Sequence, residues 1–202
     1  MSIATVYSRA QTGMDAPLVS VEVHLSNGLP CFSIVGLPET SVRESKERVR
    51  AALINSNFEF PARRITVNLA PAELPKQGGR FDLPIALGLL VASKQLNESS
   101  IQGYEFLGEL SLSGELRKTI GILPAAHACQ NTGCKLITSL ENKEELIPIS
   151  NSKYFCASHL LDVCAHLNNI KKLITEPHTK AHQQNSTQSS MSDVYGPVSY
   201  TH

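Results

Sequence analysis

Residues 75–90 read Pro-Lys-Gln-Gly-Gly-Arg-Phe-Asp-Leu-Pro-Ile-Ala-Leu-Gly-Leu-Leu, which predicts a turn followed by a buried helix. Its first half is a polar turn built on Gly78 and Gly79, and its second half is apolar. Asp82 is predicted to cap a helix that continues to about Gln95, because aspartate accepts hydrogen bonds from the free amides of a first turn and proline is tolerated there. The segment is apolar on nearly every side, so we expect this helix to be largely buried.

A second informative block covers residues 108–133. Its first part, Gly-Glu-Leu-Ser-Leu-Ser-Gly-Glu-Leu-Arg over residues 108–117, predicts a hairpin. Residues 120–133 read Ile-Gly-Ile-Leu-Pro-Ala-Ala-His-Ala-Cys-Gln-Asn-Thr-Gly, which predicts a loop and a helix ending near Gly133. A strand over residues 135–140 and a short amphipathic helix over residues 156–167 are predicted to follow.

The N-terminal region contains strand patterns. Residues 18–25 alternate between apolar and polar side chains, which predicts a half-buried strand. Asn27-Gly28 is a typical turn dipeptide, so residues 31–35 are expected to return beside the first strand as a hairpin. Residues 64–70 alternate again and predict a further strand.

A helix is predicted between these strands. Ser41, with Glu44 three residues later, has the spacing of a capping box, so the helix should begin there and end near Ser56. Two i,i+4 ion pairs are expected to support it: Glu39 with Arg43, and Glu44 with Arg48.

Bulk composition sets further limits. The 202 residues carry 18 basic and 18 acidic side chains, so no global field attracts the chain to nucleic acid or membrane. No apolar run approaches the roughly 20 residues that span a bilayer. Five scattered cysteines and the lack of a secretory signal favour reduced thiols in the cytoplasm.

Strands and helices are mixed along the chain, and the predicted fold class is therefore α/β of the α+β type, a mixed sheet with helices packed on it. Residues 1–173 are predicted to form one domain. Residues 174–202 are polar and lack apolar periodicity, so we expect a disordered linker or tail.

The two glycine-containing blocks resemble the Lon-type serine protease fold, of the ribosomal protein S5 domain 2 type. In that fold a nucleophilic serine follows the glycine turn and a lysine base lies on the later helix. Laid over those patterns without gaps, Arg80 falls at the serine position and Ala125 at the lysine position. An arginine stays protonated and an alanine has no functional group, so the resemblance implies a catalytically inert site.

Further segments narrow the resemblance. Residues 16–30, 35–40 and 68–76 together resemble the N-terminal domain of the bacterial magnesium-chelatase-like AAA+ ATPases, the ComM/YifB competence family. The match covers roughly residues 1–173, and residues 191–196 resemble the entry to the AAA+ module.

That resemblance implies several partners. The domain would lie in cis to an AAA+ module and beside neighbouring subunits of a ring, expected to be a hexamer, in a DNA helicase or branch-migration motor; no membrane contact is expected. ATP and Mg would bind only in the AAA+ module, because this sequence contains no Gly-x-x-x-x-Gly-Lys-Ser/Thr loop. No cofactor is expected in this chain.

Two surfaces are candidate interaction sites, and they leave open the alternative that the chain is a stand-alone DNA- or ligand-binding module. Arg80, at the start of a predicted helix, could recruit a phosphate, a partner carboxylate or a neighbouring subunit, or the glycine turn could serve only the chain geometry. Arg43, Lys46 and Arg50 fall within an arc of about 60° on a helix and could contact DNA. The alternatives for this basic stripe are a subunit interface or a solvated helix face, since Glu44 and Glu47 interleave with it and base-stacking aromatic residues are absent from it.

Two other kinds of site remain as alternatives. A peptidase with an unrecognised nucleophile would need Ser93, Ser111 or Ser113 beside a neutral Lys94 or Lys118, whereas serines on a polar strand face and solvated lysines are the plainer interpretation. A metal cluster would draw on histidine and cysteine, but closely spaced cysteine pairs of the zinc type are absent and no metal is expected. The residues that suggest one are His127, Cys129, Cys134, His159, Cys164 and His166.

Overall fold

The computed structural model describes residues 2–149 and 153–173. The predicted tail, residues 174–202, lies outside the described residues. The strands are β1 (Ser2–Arg9), β2 (Leu18–Ser26), β3 (Cys31–Val35), β4 (Arg64–Ala70), β5 (Tyr104–Phe106), β6 (Glu109–Leu110), β7 (Leu116–Arg117), β8 (Lys135–Ser139) and β9 (Tyr154–Ala157). The helices are α1 (Thr40–Arg43), α2 (Ser45–Asn55), α3 (Asp82–Ala92), α4 (Ile122–Asn131), α5 (Lys143–Leu146) and α6 (Leu160–Leu167).

Seven strands form one mixed sheet in the order β3-β4-β2-β1-β5-β8-β9. The β4–β2 and β2–β1 pairs are antiparallel, and the other four neighbouring pairs are parallel. Strands β6 and β7 pair separately as the predicted hairpin. The α/β class with a mixed sheet and packed helices is confirmed.

Helix α3 lies at the centre of the larger core. All of its residues are buried, as the apolar sequence predicts. It packs on the face of β2 formed by Val19, Val21 and Val23, which alternate with half-buried residues. A methyl group on Gly88 would approach Val23 Cγ2 to 2.5 Å, so glycine is what allows the helix to lie this close to the sheet.

A smaller core lies on the opposite face of the sheet. Successive side chains of a strand point to opposite faces. In β8, Leu136 belongs to the cluster around α4, whereas Ile137 belongs to the cluster around α3. Helix α4 therefore covers the face that α3 leaves open.

The predicted hairpin between residues 18–25 and 31–35 is wrong, although both strands form. Strand β4 lies between β2 and β3, antiparallel to β2 and parallel to β3. The alternation of β4 buries Ile65, Val67 and Leu69 fully, and a strand with one wholly buried face is suited to an inner position. The turn dipeptide predicted a change of direction but could not identify the partner strand.

The predicted helix caps are also wrong. Ser41 lies inside α1, which follows Glu39, and its hydroxyl accepts a hydrogen bond from the Gly78 amide at 3.1 Å. Residue 44 interrupts the helix, so α2 begins at Ser45. Asp82 is the first residue of α3 rather than its N-cap, because a 3₁₀ turn over residues 79–81 leads directly into the helix. The helix ends at Ala92, before the predicted Gln95.

The remaining differences concern short strands. Residues 154–157 form β9, so only the later part of the predicted 156–167 helix is helical, as α6. No strand was predicted where β1 and β5 lie.

Of the two predicted ion pairs, the Glu44–Arg48 pair is present at 4.0 Å, while no ion pair joins Glu39 and Arg43 in the described part of the chain. Among the residues described, no helix has the length and apolar character needed to cross a membrane.

Candidate functional site

Arg80, at the predicted nucleophile position, is buried with 6% of its surface exposed. Its Nη2 donates to the Ile120 carbonyl at 2.6 Å and to Gln11 Oε1 at 2.8 Å. The guanidinium therefore joins three segments: the glycine turn, the loop between β1 and β2, and the loop before α4. Burial lowers the pKa of Arg80, yet an arginine remains protonated in proteins.

The glycine turn brings the chain close to the β6–β7 hairpin. Gly78 has φ +70°, a left-handed conformation that favours glycine. A side chain on Gly79 would overlap the carboxylate of Glu109, which lies across the turn. Both glycines therefore have a geometric role, and the structural interpretation of this turn has direct support.

Ala125, at the predicted base position, is fully buried on α4 among apolar side chains of the smaller core. It presents only a methyl group. The loop before this helix meets Arg80 through Ile120, five residues earlier in the chain. The segments that carry Arg80 and Ala125 are thus joined by the hydrogen bond from Arg80 to the Ile120 carbonyl.

The serines considered as alternative nucleophiles have other partners. Ser93 Oγ donates to the Leu89 carbonyl at 2.8 Å, as helix-terminal serines often do. Ser111 Oγ lies 2.8 Å from Ser113 Oγ and accepts from the Glu115 amide at 3.0 Å. In the described ranges, no serine hydroxyl forms a hydrogen bond with a lysine amine.

Of the two lysines considered as their base, Lys94 is exposed and Lys118 is paired with an acidic side chain. Lys118 Nζ lies 2.5 Å from Glu145 Oε1. That hydrogen bond, helped by the negative charge of Glu145, raises the pKa of Lys118. A more basic lysine is protonated at neutral pH and cannot accept the proton of a serine.

Lys76 is a buried lysine that the sequence analysis did not identify. Its side chain is fully buried, and its Nζ donates to the Pro71 carbonyl. Burial lowers the pKa of Lys76, while the charge of Glu73 opposes that shift. No sequence pattern marks it, because lysine is ordinarily an exposed residue. Its contact closes the loop over residues 71–76, and no serine is its partner in the described structure.

The basic stripe runs from Arg43, the last residue of α1, along the first half of α2 through Lys46 to Arg50. Arg43 and Arg50 are exposed and Lys46 is half-buried. The Arg50 guanidinium lies 5.2 Å from the centre of the Phe60 ring, and Phe60 is 6.1 Å from Phe32. The fold therefore brings aromatic rings to this surface from β3 and from the loop before β4, which the helix sequence alone could not indicate.

The histidines and cysteines considered for a metal site are dispersed. His159 caps α6, its Nδ1 accepting from the Leu161 amide at 3.1 Å. Burial raises the pKa of Cys129 and of Cys164, which behave as apolar core residues. Within residues 2–149 and 153–173, no three histidine, cysteine or acidic side chains are grouped to hold a metal ion.

Two other arginines form charged pairs that sequence reasoning missed. Arg9 and Glu105 are both buried, with Nε–Oε2 and Nη2–Oε1 distances of 2.6 and 2.8 Å. Arg48 pairs with Asp82 rather than chiefly with Glu44. The partners are 96 and 34 residues apart in the chain, so no local spacing could have indicated them.

Comparison with known proteins places these features in a family. The family described as subunit ChlI of Mg-chelatase matches residues 21–142. Competence protein ComM of Haemophilus influenzae is 54% identical over 173 residues, which are 86% of this chain and 34% of that protein. YifB of Salmonella typhimurium is 52% identical over 167 residues, 83% of this chain and 33% of that protein.

YifB of Escherichia coli is 45% identical over 196 residues, 97% of this chain and 38% of that protein. The chain thus spans about a third of the length of the curated relatives it matches. These similarities show that the chain belongs to the ComM/YifB family of magnesium-chelatase-like AAA+ proteins.

Proposed function

We propose that this chain is the non-catalytic N-terminal domain of a magnesium-chelatase-like AAA+ ATPase and that it organises or regulates the motor ring. The observation that carries the proposal is the buried guanidinium of Arg80, bound to the Ile120 carbonyl at 2.6 Å. A fixed cation occupies the position at which hydrolysis would need a nucleophile. Ala125 offers no base at the second position.

The motor activity itself is proposed for the full-length protein. Relatives of which this chain matches about a third of the length include one named for competence. ATP and Mg would be held by the AAA+ module, since the sequence of this chain has no Walker-type loop. The proposed role is in a DNA helicase or branch-migration motor of competence and recombination, acting in the cytoplasm as a ring of neighbouring subunits.

Removal of this domain from the full-length protein tests the organising role. We expect deletion of residues 1–173 to leave nucleotide binding intact, because the phosphate-binding loop lies elsewhere. Ring assembly, measured by sedimentation velocity with ATP, and DNA-stimulated ATP hydrolysis should both fall. Unchanged assembly together with unchanged hydrolysis would contradict the proposal.

Direct DNA contact is a second candidate function, favoured by the basic surface at α2. Arg43 and Arg50 are exposed, and Arg50 stacks over Phe60. Clustered cations neutralise phosphates, and an aromatic ring beside them offers a stacking surface for an unpaired base. Gel-shift titration with single-stranded DNA should show binding that weakens as salt increases.

A pair of variants makes that titration specific. Arg43→Gln with Arg50→Gln should weaken binding and reduce its salt dependence, since each lost phosphate contact lowers the slope by about one. Lys172→Gln removes a cation from the far end of the sheet and serves as the control. Direct contact through this surface would be rejected if the wild-type chain did not bind at low salt. It would also be rejected if the Arg43→Gln/Arg50→Gln double variant bound as tightly as the Lys172→Gln control.

A further inference from the structure

Arg80 is a buried cation that forms no ion pair with any of the described residues. Its Nη2 has two neutral acceptors, and its Nη1 is buried without a hydrogen-bond partner in the described structure. Two other arginines, Arg9 and Arg48, pair with buried carboxylates. In each pair the arginine Nε lies 2.6 Å from a carboxylate oxygen. A buried charge is costly unless it is paired, so Arg80 is the arginine in this group whose pairing is incomplete.

A cleft of about 350 Å³ opens beside this guanidinium. Besides Arg80, its lining includes Gly78 and Gly79 of the glycine turn, the acidic side chain of Glu109, and Gln11, Lys118 and Ile120. A side chain on Gly121 would overlap the carboxamide of Gln11, which shows how closely Gln11 is folded over this region.

Of the two carboxylates near Arg80, Asp82 is engaged by Arg48 and Glu109 lines the cleft. Asp82 accepts two hydrogen bonds from Arg48 and one from the Leu110 amide at 3.1 Å. Glu109 lies across Gly79, and its charge contributes to raising the pKa of Arg48, behind the larger effects of Asp82. Among the described residues, no carboxylate oxygen lies within 4.0 Å of Arg80. Asp82 is thus engaged by Arg48, and Arg80 forms no ion pair in the described structure. Because Glu109 lines the same cleft, an oxyanion would bind on the Gln11 side of the guanidinium.

We propose that the cleft bounded by Gly78, Arg80 and Gln11, here called the Arg80 cleft, binds a compact oxyanion. An oxygen of the ligand would take the place of Gln11 Oε1, now 2.8 Å from Nη2. The planar guanidinium carries two Nη groups, which match two oxygens of one phosphate or carboxylate group. The exposed side chain of Ile120 at the rim provides an apolar contact for whatever carries that group.

Two substitutions of Gln11 separate this proposal from a purely structural role of Arg80. Gln11→Glu places a carboxylate where the ligand oxygen would lie, so it should raise the melting temperature in the absence of ligand and block ligand binding. Gln11→Ala uncovers the guanidinium and should lower the apparent Kd for the anion at least about threefold, since the carboxamide no longer competes. Arg63→Gln removes an exposed arginine outside both proposed surfaces and is the matched control.

Thermal unfolding with inorganic phosphate is the measurement, with chloride at equal ionic strength as reference. Phosphate about tenfold above its Kd should raise the melting temperature of the wild-type chain by about 3–5 °C in a saturable manner. The control should respond equally and Gln11→Glu should not respond. Phosphate also stabilises proteins by exclusion from their surface, but that effect does not saturate and is common to all variants.

A parallel titration with acetate distinguishes the sources of the oxyanion. Saturation at lower acetate than phosphate concentration would identify a carboxylate, as on an acidic side chain of another module or subunit. The reverse order would identify a phosphate group. A wild-type chain that shows no saturable response to either anion, or a Gln11→Glu variant that responds as the wild type does, would overturn the proposal.

Discussion

Arg48 on α2 holds Asp82 at the start of α3 through two hydrogen bonds, Nε–Oδ2 at 2.6 Å and Nη2–Oδ1 at 3.1 Å. The hydrogen bond to Asp82 raises the pKa of the Arg48 guanidinium. Burial raises the pKa of the Asp82 carboxyl, and the hydrogen bonds from Arg48 work against that shift. The pair fixes the direction in which α3 leaves the glycine turn, and the position of Arg80 depends on it.

Loss of that carboxylate should destabilise the fold. We predict that Asp82→Asn lowers the free energy of unfolding by about 3 kcal/mol, because it leaves the Arg48 cation without its buried partner. Glu44→Gln removes the exposed partner of the same arginine and should cost less than about 1 kcal/mol. Urea denaturation measures both. Equal losses in the two variants would show that Asp82 is not the dominant partner.

Gly36 should tolerate no side chain. It has φ +96°, and a methyl group there would overlap the backbone carbonyl of Leu69 in β4. We predict that Gly36→Ala costs about 3 kcal/mol or more, from strain and overlap together. Gly13→Ala is the matched control, with φ +60° and open space around it, and should cost about 1 kcal/mol. Equal costs in urea denaturation would contradict the close β3–β4 contact.

Arg80→Glu should impair folding itself. The new carboxylate would face Gln11 Oε1 and the Ile120 carbonyl, both hydrogen-bond acceptors. We predict a loss of about 3 kcal/mol or more in the free energy of unfolding. Arg43→Glu changes the same charge at an exposed position and should cost less than about 1 kcal/mol. Nearly unchanged stability of Arg80→Glu would show that the guanidinium does not bridge these segments.

His166 should make stability depend on pH. Burial lowers its pKa, and the nearby Lys135 and Lys172 add to the shift. Its Nδ1 accepts from the Leu173 amide at 3.0 Å, and its Nε2 lies 3.2 Å from the Tyr104 hydroxyl. Only an unprotonated Nδ1 can accept, so the folded state favours the neutral ring.

The sign follows from proton binding. Below the ordinary histidine pKa of about 6.5, the unfolded chain binds a proton that the folded chain does not. The contribution of His166 is therefore complete above that pH and decreases as the pH falls towards the lowered folded-state pKa. Unfolding free energies at pH 7.5 and 5.5 should differ less in His166→Gln than in the wild type. The exposed His127→Gln is the control, and an unchanged difference in His166→Gln would contradict this assignment.

Strong periodic patterns were sufficient to predict the central elements. The alternation of β2 and β4 and the apolar run of α3 predicted the correct element types. Each of the two strands buries one continuous face, and the helix is buried on all sides, so their sequence patterns are unambiguous. Strand β1 was not predicted because its buried side chains are small or polar, whereas its large apolar side chains are exposed. It buries Ala4, Val6 and Ser8 while Ile3 and Tyr7 are exposed, so its largest apolar side chains lie on the outer face.

The sequence indicated which residues to consider at the candidate site, but it could not indicate the residues that contact them. The glycine turn and the ungapped overlay led to Arg80 and Ala125, but the burial of Arg80 depends on loops 69 and 40 residues away. Ser41 illustrates the same limit. Its local spacing favours a capping box, yet the fold brings the Gly78 amide to its hydroxyl instead.

The proposal that the domain is catalytically inert is tested most directly by peptide turnover. The chain would be incubated with casein and with fluorogenic peptides, with and without a reagent that labels reactive serines. We predict no cleavage above the buffer rate and no labelling, because Arg80 and Ala125 provide neither nucleophile nor base. Cleavage that the reagent inhibits, and that a serine-to-alanine variant at the labelled position abolishes, would contradict the account.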